Sequence, residues 1–222
     1  VRRGVRAAYR LIAPPVQEPI TLQQAKDQAR ITGDDSNATT LSYLKTAREA
    51  AEQSLGYGLF TQTWQLALSD FTDRIQLPMA MQLQNDALAN PSTAVLVQYY
   101  DSLGTLQSLA ASNYLVDATA RPAEITRAPL KVWPVVQADR LAARILITYV
   151  VGWTSPTLIP ERIKQGIRSY LTYLDLDRDG MDPNAKGARD AAEACWIDKL
   201  YWAPPDTYDL DYRDAWAALG VG

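Results

Sequence analysis

The sequence predicts an α+β fold: a helical bundle with a central β-rich insertion and extended N- and C-terminal arms. Three observations carry this. Apolar residues recur at three- and four-residue steps before residue 56 and again after residue 160. Between these stretches, short β-branched and aromatic runs alternate with polar residues, and both chain ends are biased in proline or charge. The resulting organisation is a basic extended arm over 1–19, then a core over 20–180 with helices at 21–55 and 160–176 around a β-rich middle 60–151. A C-terminal helix and an acidic aromatic tail follow over 181–222.

Ala13-Pro14-Pro15 and Glu18-Pro19 block helix and predict an extended arm. Arg2, Arg3, Arg6 and Arg10 give the first ten residues a charge of +4. Thr21 and Gln24 have capping-box spacing and open a helix to about Ala29. Gly33-Asp34-Asp35-Ser36 is a turn, with Asp35 or Ser36 as the next N-cap. The second helix spans 37–55 with an apolar stripe of Leu41, Leu44, Ala47, Ala51 and Leu55, leaving Lys45, Arg48, Glu49 and Glu52 mostly off it. Gly56 stops it.

Residues 61–68 alternate, with Trp64, Leu66 and Leu68 on one face, and 74–77 form a short strand closed by Pro78. Residues 93–100 are β-branched and aromatic, and Asp101-Ser102-Leu103-Gly104 turns them into 105–109. Strand patterns continue at 113–117, 124–127 and 144–151, while 80–92 has no assignable pattern. Helix resumes at Pro160 with Ile163, Ile167, Tyr170, Leu171 and Leu174 as its stripe. A last helix covers about 185–202, before Pro204-Pro205.

Composition narrows the chemistry. With no histidine and one cysteine, the chain has no Ser-His-Asp or Cys-His site, no His-containing zinc site, no intrachain disulfide and no CxxC motif. No apolar run approaches the ~18–20 residues of a membrane span, and Leu11-Ile12-Ala13 is too short for a secretory core, so a soluble protein with no membrane partner is expected. The net charge of −3 conceals the basic start and, from Asp175 on, eleven acids against five bases, a net of −6.

Candidate chemical motifs are incomplete. Asp175-Leu176-Asp177-Arg178-Asp179-Gly180 opens like a calcium loop, but Lys186 stands at position 12, where a bidentate glutamate is needed. Paired carboxylates could serve a hydrolase or a metal-dependent nuclease, yet none of the twenty-five acids lies in a recognisable motif. Gly56-Tyr57-Gly58 completes no phosphate loop and reads as a helix stop and turn. Cys195, beside Trp196, reads as a small apolar residue. No catalytic residue, metal or cofactor is assigned. The aromatic tail stands out instead: Trp202, Tyr208, Tyr212 and Trp216 are candidate interface anchors. The last three share one face if 206–219 is helical, as a helix laid in a groove requires.

An ordered set of segments carries a family resemblance. Ile20-Thr21-Leu22-Gln23-Gln24-Ala25-Lys26 comes first, then Ala47-Arg48-Glu49-Ala50-Ala51-Glu52, leading through Leu55-Gly56 to Thr61-Gln62-Thr63-Trp64. Ile75-Gln76-Leu77-Pro78 and Val97-Gln98-Tyr99-Tyr100-Asp101-Ser102-Leu103-Gly104 follow. Ile147-Thr148-Tyr149-Val150-Val151-Gly152-Trp153 and Ile159-Pro160-Glu161-Arg162-Ile163-Lys164-Gln165-Gly166-Ile167 complete the set. Over roughly residues 16–180 the chain resembles the tailed-bacteriophage head–tail connector (adaptor) family. The resemblance implies a structural virion protein, not an enzyme: a dodecameric homo-oligomeric ring beneath the portal protein, with a downstream neck or tail protein attached and DNA passing through. It implies a place in the virion neck after assembly in the host cytoplasm. On this reading Trp202, Tyr208, Tyr212 and Trp216 bind the portal. Arg2, Arg3, Arg6 and Arg10 contact DNA or an acidic partner.

Overall fold

The computed structural model describes residues 5–30, 37–80, 95–138, 143–177, 182 and 184–196. It is an α+β protein of two compact units. Among the described residues, 5–14 and 61–152 belong to a β unit, and 15–60 and 153–196 to a helical unit. No helix among them is long and apolar enough to cross a membrane.

The β unit begins where a free arm is expected. Ala7–Ala13 is strand β1, paired antiparallel with β2, Gln62–Leu68. Tyr9 and Leu11 point inward while Arg6, Ala8, Arg10 and Ile12 point outward, and this period-2 pattern lets a proline-flanked, arginine-rich stretch become a sheet edge. The remaining strands are β3 (Arg74–Gln76), β4 (Val95–Tyr100), β5 (Leu106–Ser108), β6 (Tyr114–Asp117), β7 (Glu124–Arg127) and β8 (Ile145–Val151). One sheet has the order β1-β2-β8-β4-β5 and the other β3-β7-β6, all pairs being antiparallel. In β2 and β8 every second residue is buried, so Trp64, Leu66, Leu68, Ile145, Ile147, Tyr149 and Val151 share one core cluster with Ile75 and Ile125 of the smaller sheet. Tyr114 of β6 donates its hydroxyl to the Val95 carbonyl of β4 at 2.8 Å, tying the two sheets.

The helical unit holds α1 (Leu22–Ala29), α2 (Asn37–Leu55), α3 (Glu161–Leu176) and α4 (Ala185–Trp196). The Thr21–Gln24 capping box is formed in both directions, at 3.2 and 3.0 Å. The cap expected at Asp35 or Ser36 lies outside the described residues, as do residues 81–94 and everything after Trp196. Gly56 ends α2 with φ 72°, its N–H bonded to the Glu52 carbonyl. The α2 stripe needs correcting at three positions. Leu41 is 39 % exposed, while Arg48 and Glu52 are buried. The two charges can enter the core because each finds a partner there. Pairing of α3 with α4 rests on Gly166: a Cβ at that position would run into the Trp196 ring, with Cε2 at 2.7 Å.

Candidate functional site

The described residues hold no cluster of three or more His, Cys, Asp or Glu side chains placed to bind a metal. Asp175 lies in α3 and Asp177 at its C-cap, while Asp179 and Gly180 are outside the described residues. Cys195 is a partly exposed free thiol.

In the helical unit, Arg48 lies at the centre of a buried ion network. Its Nε donates to Glu18 at 3.0 Å, NH1 to Glu52 at 2.7 Å and NH2 to Glu49 at 3.3 Å. The second oxygen of Glu52 accepts the Leu59 backbone N–H at 2.8 Å. Burial opposes the charge on Arg48, but Glu52, Glu18 and Glu49 overcome it and hold its pKa above the ordinary value. Burial raises the pKa of Glu18 and the attraction of Arg48 only partly offsets this. The network fastens the non-helical stretches around Glu18 and Leu59 to α2. Its sequence signal was the Arg48-to-Glu52 step of four.

A groove of about 460 Å³ lies between helices of the same unit. Ala50, Gln53 and Ser54 of α2 form one wall, and Arg189 and Glu193 of α4, bonded at 2.9 Å, form the other. Its aromatic lining is Tyr170 and Trp196, with ring centroids 5.8 Å apart. Burial raises the Tyr170 pKa.

In the β unit, Arg10 is an element of the sheet surface. Its Nε and NH2 donate to Gln65 Oε1 at 3.2 and 2.8 Å, and Gln65 Nε2 donates to Thr148 Oγ1 at 3.1 Å, making a polar row across β1, β2 and β8. Arg6, just before the strand, is exposed, and its N–H donates to Ser69 Oγ at 2.9 Å. Arg2 and Arg3 lie outside the described residues, as do Trp202, Tyr208, Tyr212 and Trp216.

A second surface of the β unit was not foreseen. Residues 128–137 cross it as an irregular strip from which Leu130, Val132 and Val135 project at 105, 79 and 78 % exposure. The strip is fixed from beneath. Trp133 stacks on Phe71 at 4.6 Å and donates its indole N–H to the Thr72 carbonyl at 3.1 Å. Backbone bonds anchor its ends: Ala128 N–H to Asn113 O at 3.0 Å and Gln137 N–H to Tyr100 O at 3.0 Å. Its sequence signal was Leu130, Val132, Val135 and Val136 set around Pro129 and Pro134, with Lys131 as the one charge.

No family model matches the sequence, and no curated protein matches it. The fold is shared with solved structures. One is a chain of the virion of a native gene transfer agent particle, with a TM-score of 0.66 at 18% identity over 90% of this chain and 98% of that one. A second comes from the neck of an empty gene transfer agent particle computed with C6 symmetry, with a TM-score of 0.63 at 18% identity over 85% and 94%. A third, from the neck of a native particle computed with C12 symmetry, has a TM-score of 0.58 at 20% identity over 84% and 94%.

Proposed function

We propose that this chain is a structural neck protein of a phage-like particle: a head–tail connector that assembles as a dodecameric ring beneath the portal. It joins the portal to the next neck or tail protein and lets DNA through the lumen without sequence-specific contact. The observation that carries this is the agreement of fold with neck and virion chains over 84–90% of this chain and 94–98% of theirs. It agrees with the connector-like order of segments between Ile20 and Ile167. A twelve-membered ring is compatible with both the twelvefold and the sixfold symmetry of those necks. In chain order residues 61–152 of the β unit lie between the two stretches of the helical unit, and strand β1 precedes both.

In this reading Trp202, Tyr208, Tyr212 and Trp216 anchor the subunit to the portal. Arg2, Arg3, Arg6 and Arg10 meet DNA or an acidic neighbour. Assembly takes place in the host cytoplasm, and the ring then remains in the virion neck. Electron microscopy of the protein mixed with portal tests the class: a twelvefold ring is expected, and a protein that stays monomeric with portal present overturns it. Deleting residues 203–222 is expected to abolish portal docking with the core still folded. Normal docking by that truncation overturns the tail assignment. A variant with Arg6→Glu and Arg10→Glu is expected to impair assembly or DNA passage, and normal packaging by it removes the arginines from the site.

A further inference from the structure

We propose that the outer edge of strand β1 holds the segment 207–213 of the chain's own tail. The segment adds one strand to the five-stranded sheet in the subunit before it meets the portal. The inference rests on the reading of Arg6 and Arg10 above and deepens it by naming their acidic partner.

The edge has a defined geometry. β1 is the outermost strand on its side of the sheet, with no described strand beyond it. The Arg6 carbonyl accepts the Ser69 N–H at 2.9 Å. The register then makes Ala8 with Ala67, and Arg10 with Gln65, the hydrogen-bonded pairs. Ala7 and Leu11, at the alternate positions, turn their backbone N–H and C=O groups away from β2. Val5, Ala7 and Leu11 are only partly buried against the core cluster, so the margin of the core runs along this edge. Arg6 and Arg10 are exposed on the opposite face and form no ion pair among the described residues. Gln65, which engages Arg10, is neutral and leaves its charge uncompensated.

The tail segment matches this edge. Thr207-Tyr208-Asp209-Leu210-Asp211-Tyr212-Arg213 alternates polar and apolar residues, the period of a strand with one buried face. With Leu210 placed beside Tyr9, the side chains of Tyr208, Leu210 and Tyr212 extend the apolar margin. Asp209 and Asp211 then fall on the face of Arg6 and Arg10, and a period of two gives this result for either strand direction. Over 203–222 the charges are Asp206, Asp209, Asp211 and Asp214 against Arg213, a net of −3 that complements the two arginines. The bulge after Leu11, Pro14-Pro15 and the arginines are devices that keep chance strands off an edge. Here they shorten the edge to about Ala7–Leu11, the length of 208–212, and favour an acidic strand. Ten residues, 197–206, separate Trp196 from the segment and span about 33–36 Å when extended. A segment tethered to the same chain meets the edge at a far higher effective concentration than a strand of another copy.

Amide exchange in the full-length protein without portal tests this. Ala7 and Leu11 are expected to exchange about 10-fold faster in Asp209→Pro with Leu210→Pro than in the unaltered chain. Successive N–H groups of a strand point to opposite sides, so one of the two prolines removes a ladder donor in any register. Exchange at Ala8 and Arg10, bonded to β2, and at Ile147 in the sheet centre is expected to stay the same, which shows that the variant is folded. Equal exchange of Ala7 and Leu11 in the two proteins overturns the proposal. As a second measurement, Ala8→Cys and Asp209→Cys are introduced together in a Cys195→Ser background and treated with a short bismaleimide. A link within the monomer is expected; links only between copies, or no link, overturn the proposal. A twelvefold ring with portal beside either negative result removes this contact and leaves the connector reading intact.

Discussion

Gln62 is the one non-aromatic polar side chain buried among the described residues of the β unit, whereas the helical unit buries Lys26, Thr40, Arg48, Glu52 and Lys164. The difference follows from backbone geometry. A strand turns every second residue away from the core, so polar groups have somewhere to go, and the hydroxyls that do enter, on Tyr114 and Tyr149, donate to backbone carbonyls at 2.8 and 2.7 Å. The helical unit has irregular stretches on either side of α2, and the one after it has a single isolated bridge, Phe60 to Trp153. Arg48 and Glu52 supply that fastening, through Glu18 and the Leu59 N–H. Charge is buried in the helical unit because it holds the connections, and apolar surface dominates the β unit because the ladders already do so.

Breaking the fastening has the largest expected effect. Arg48→Ala removes the guanidinium from the buried Glu52 carboxylate and is expected to cost about 3–5 kcal/mol in urea unfolding. Converting Arg48, Glu52 and Glu18 together to apolar residues of similar volume is expected to recover much of that loss. The pH dependence sharpens the contrast. Burial raises the pKa of Glu18 above its ordinary 4.5, so the folded state holds this proton more tightly than the unfolded chain does. The contribution of Glu18 is therefore fully present below the ordinary value and declines as pH rises through the raised one. Glu18→Gln is expected to flatten that decline in unfolding curves measured across the window, and to cost less than Arg48→Ala.

The β unit should respond to volume instead. Ile147, fully buried in the centre of the sheet, is expected to lose about 2–5 kcal/mol on truncation to alanine and about 0.5–1.5 kcal/mol as valine. Tyr149→Phe, which removes the bond to the Pro78 carbonyl, is expected to cost about 1–3 kcal/mol by leaving that acceptor without its donor. Neither loss should depend on pH between 5 and 8. A pH-dependent loss in Ile147→Ala would dissolve the distinction between the units.

The same contrast explains what could be read in advance. Strand β2 was legible because apolarity alternates along it as burial does, β4 and β8 because they are rich in β-branched and aromatic residues, and α3 because Ile163, Ile167 and Leu171 keep a helical period. Strand β1 was hidden because its flanking prolines and its arginines signal an arm, and only Tyr9 and Leu11 mark the inward face. Periodicity failed on α2 where it equates charge with solvent: Arg48 and Glu52 belong to the core through pairing, which a single-sequence stripe does not register. The strip at 128–137 was equally hidden. An aliphatic residue reads as core until the fold shows that Trp133 is the side chain turned inward and Val132 the one turned out. The residues singled out for binding were legible as chemistry but not as geometry. Arg10 proved to be tied to Gln65, and the four tail aromatics lie outside the described residues.

The smallest effect is at the tip of the β4–β5 hairpin, where polar groups at the surface bond to one another. Asp101 Oδ1 accepts the N–H groups of Leu103 and Thr105 at 3.0 and 2.9 Å, and Oδ2 accepts Gln107 Nε2 at 2.9 Å. The Gln107 bond, followed by that from Thr105, holds the carboxyl pKa below its ordinary 3.8. This stabilisation is therefore present above the ordinary value and is lost as pH falls through the depressed one. Amide exchange at Leu103 and Thr105 is expected to accelerate over that fall, after correction for intrinsic rates, with no change in the exchange of Ile147 at the sheet centre. Asp101→Asn should remove the titration. If acid loosens Ile147 together with the tip, the hairpin charge is coupled to the core, and the β unit depends on ionic fastening much as the helical unit does.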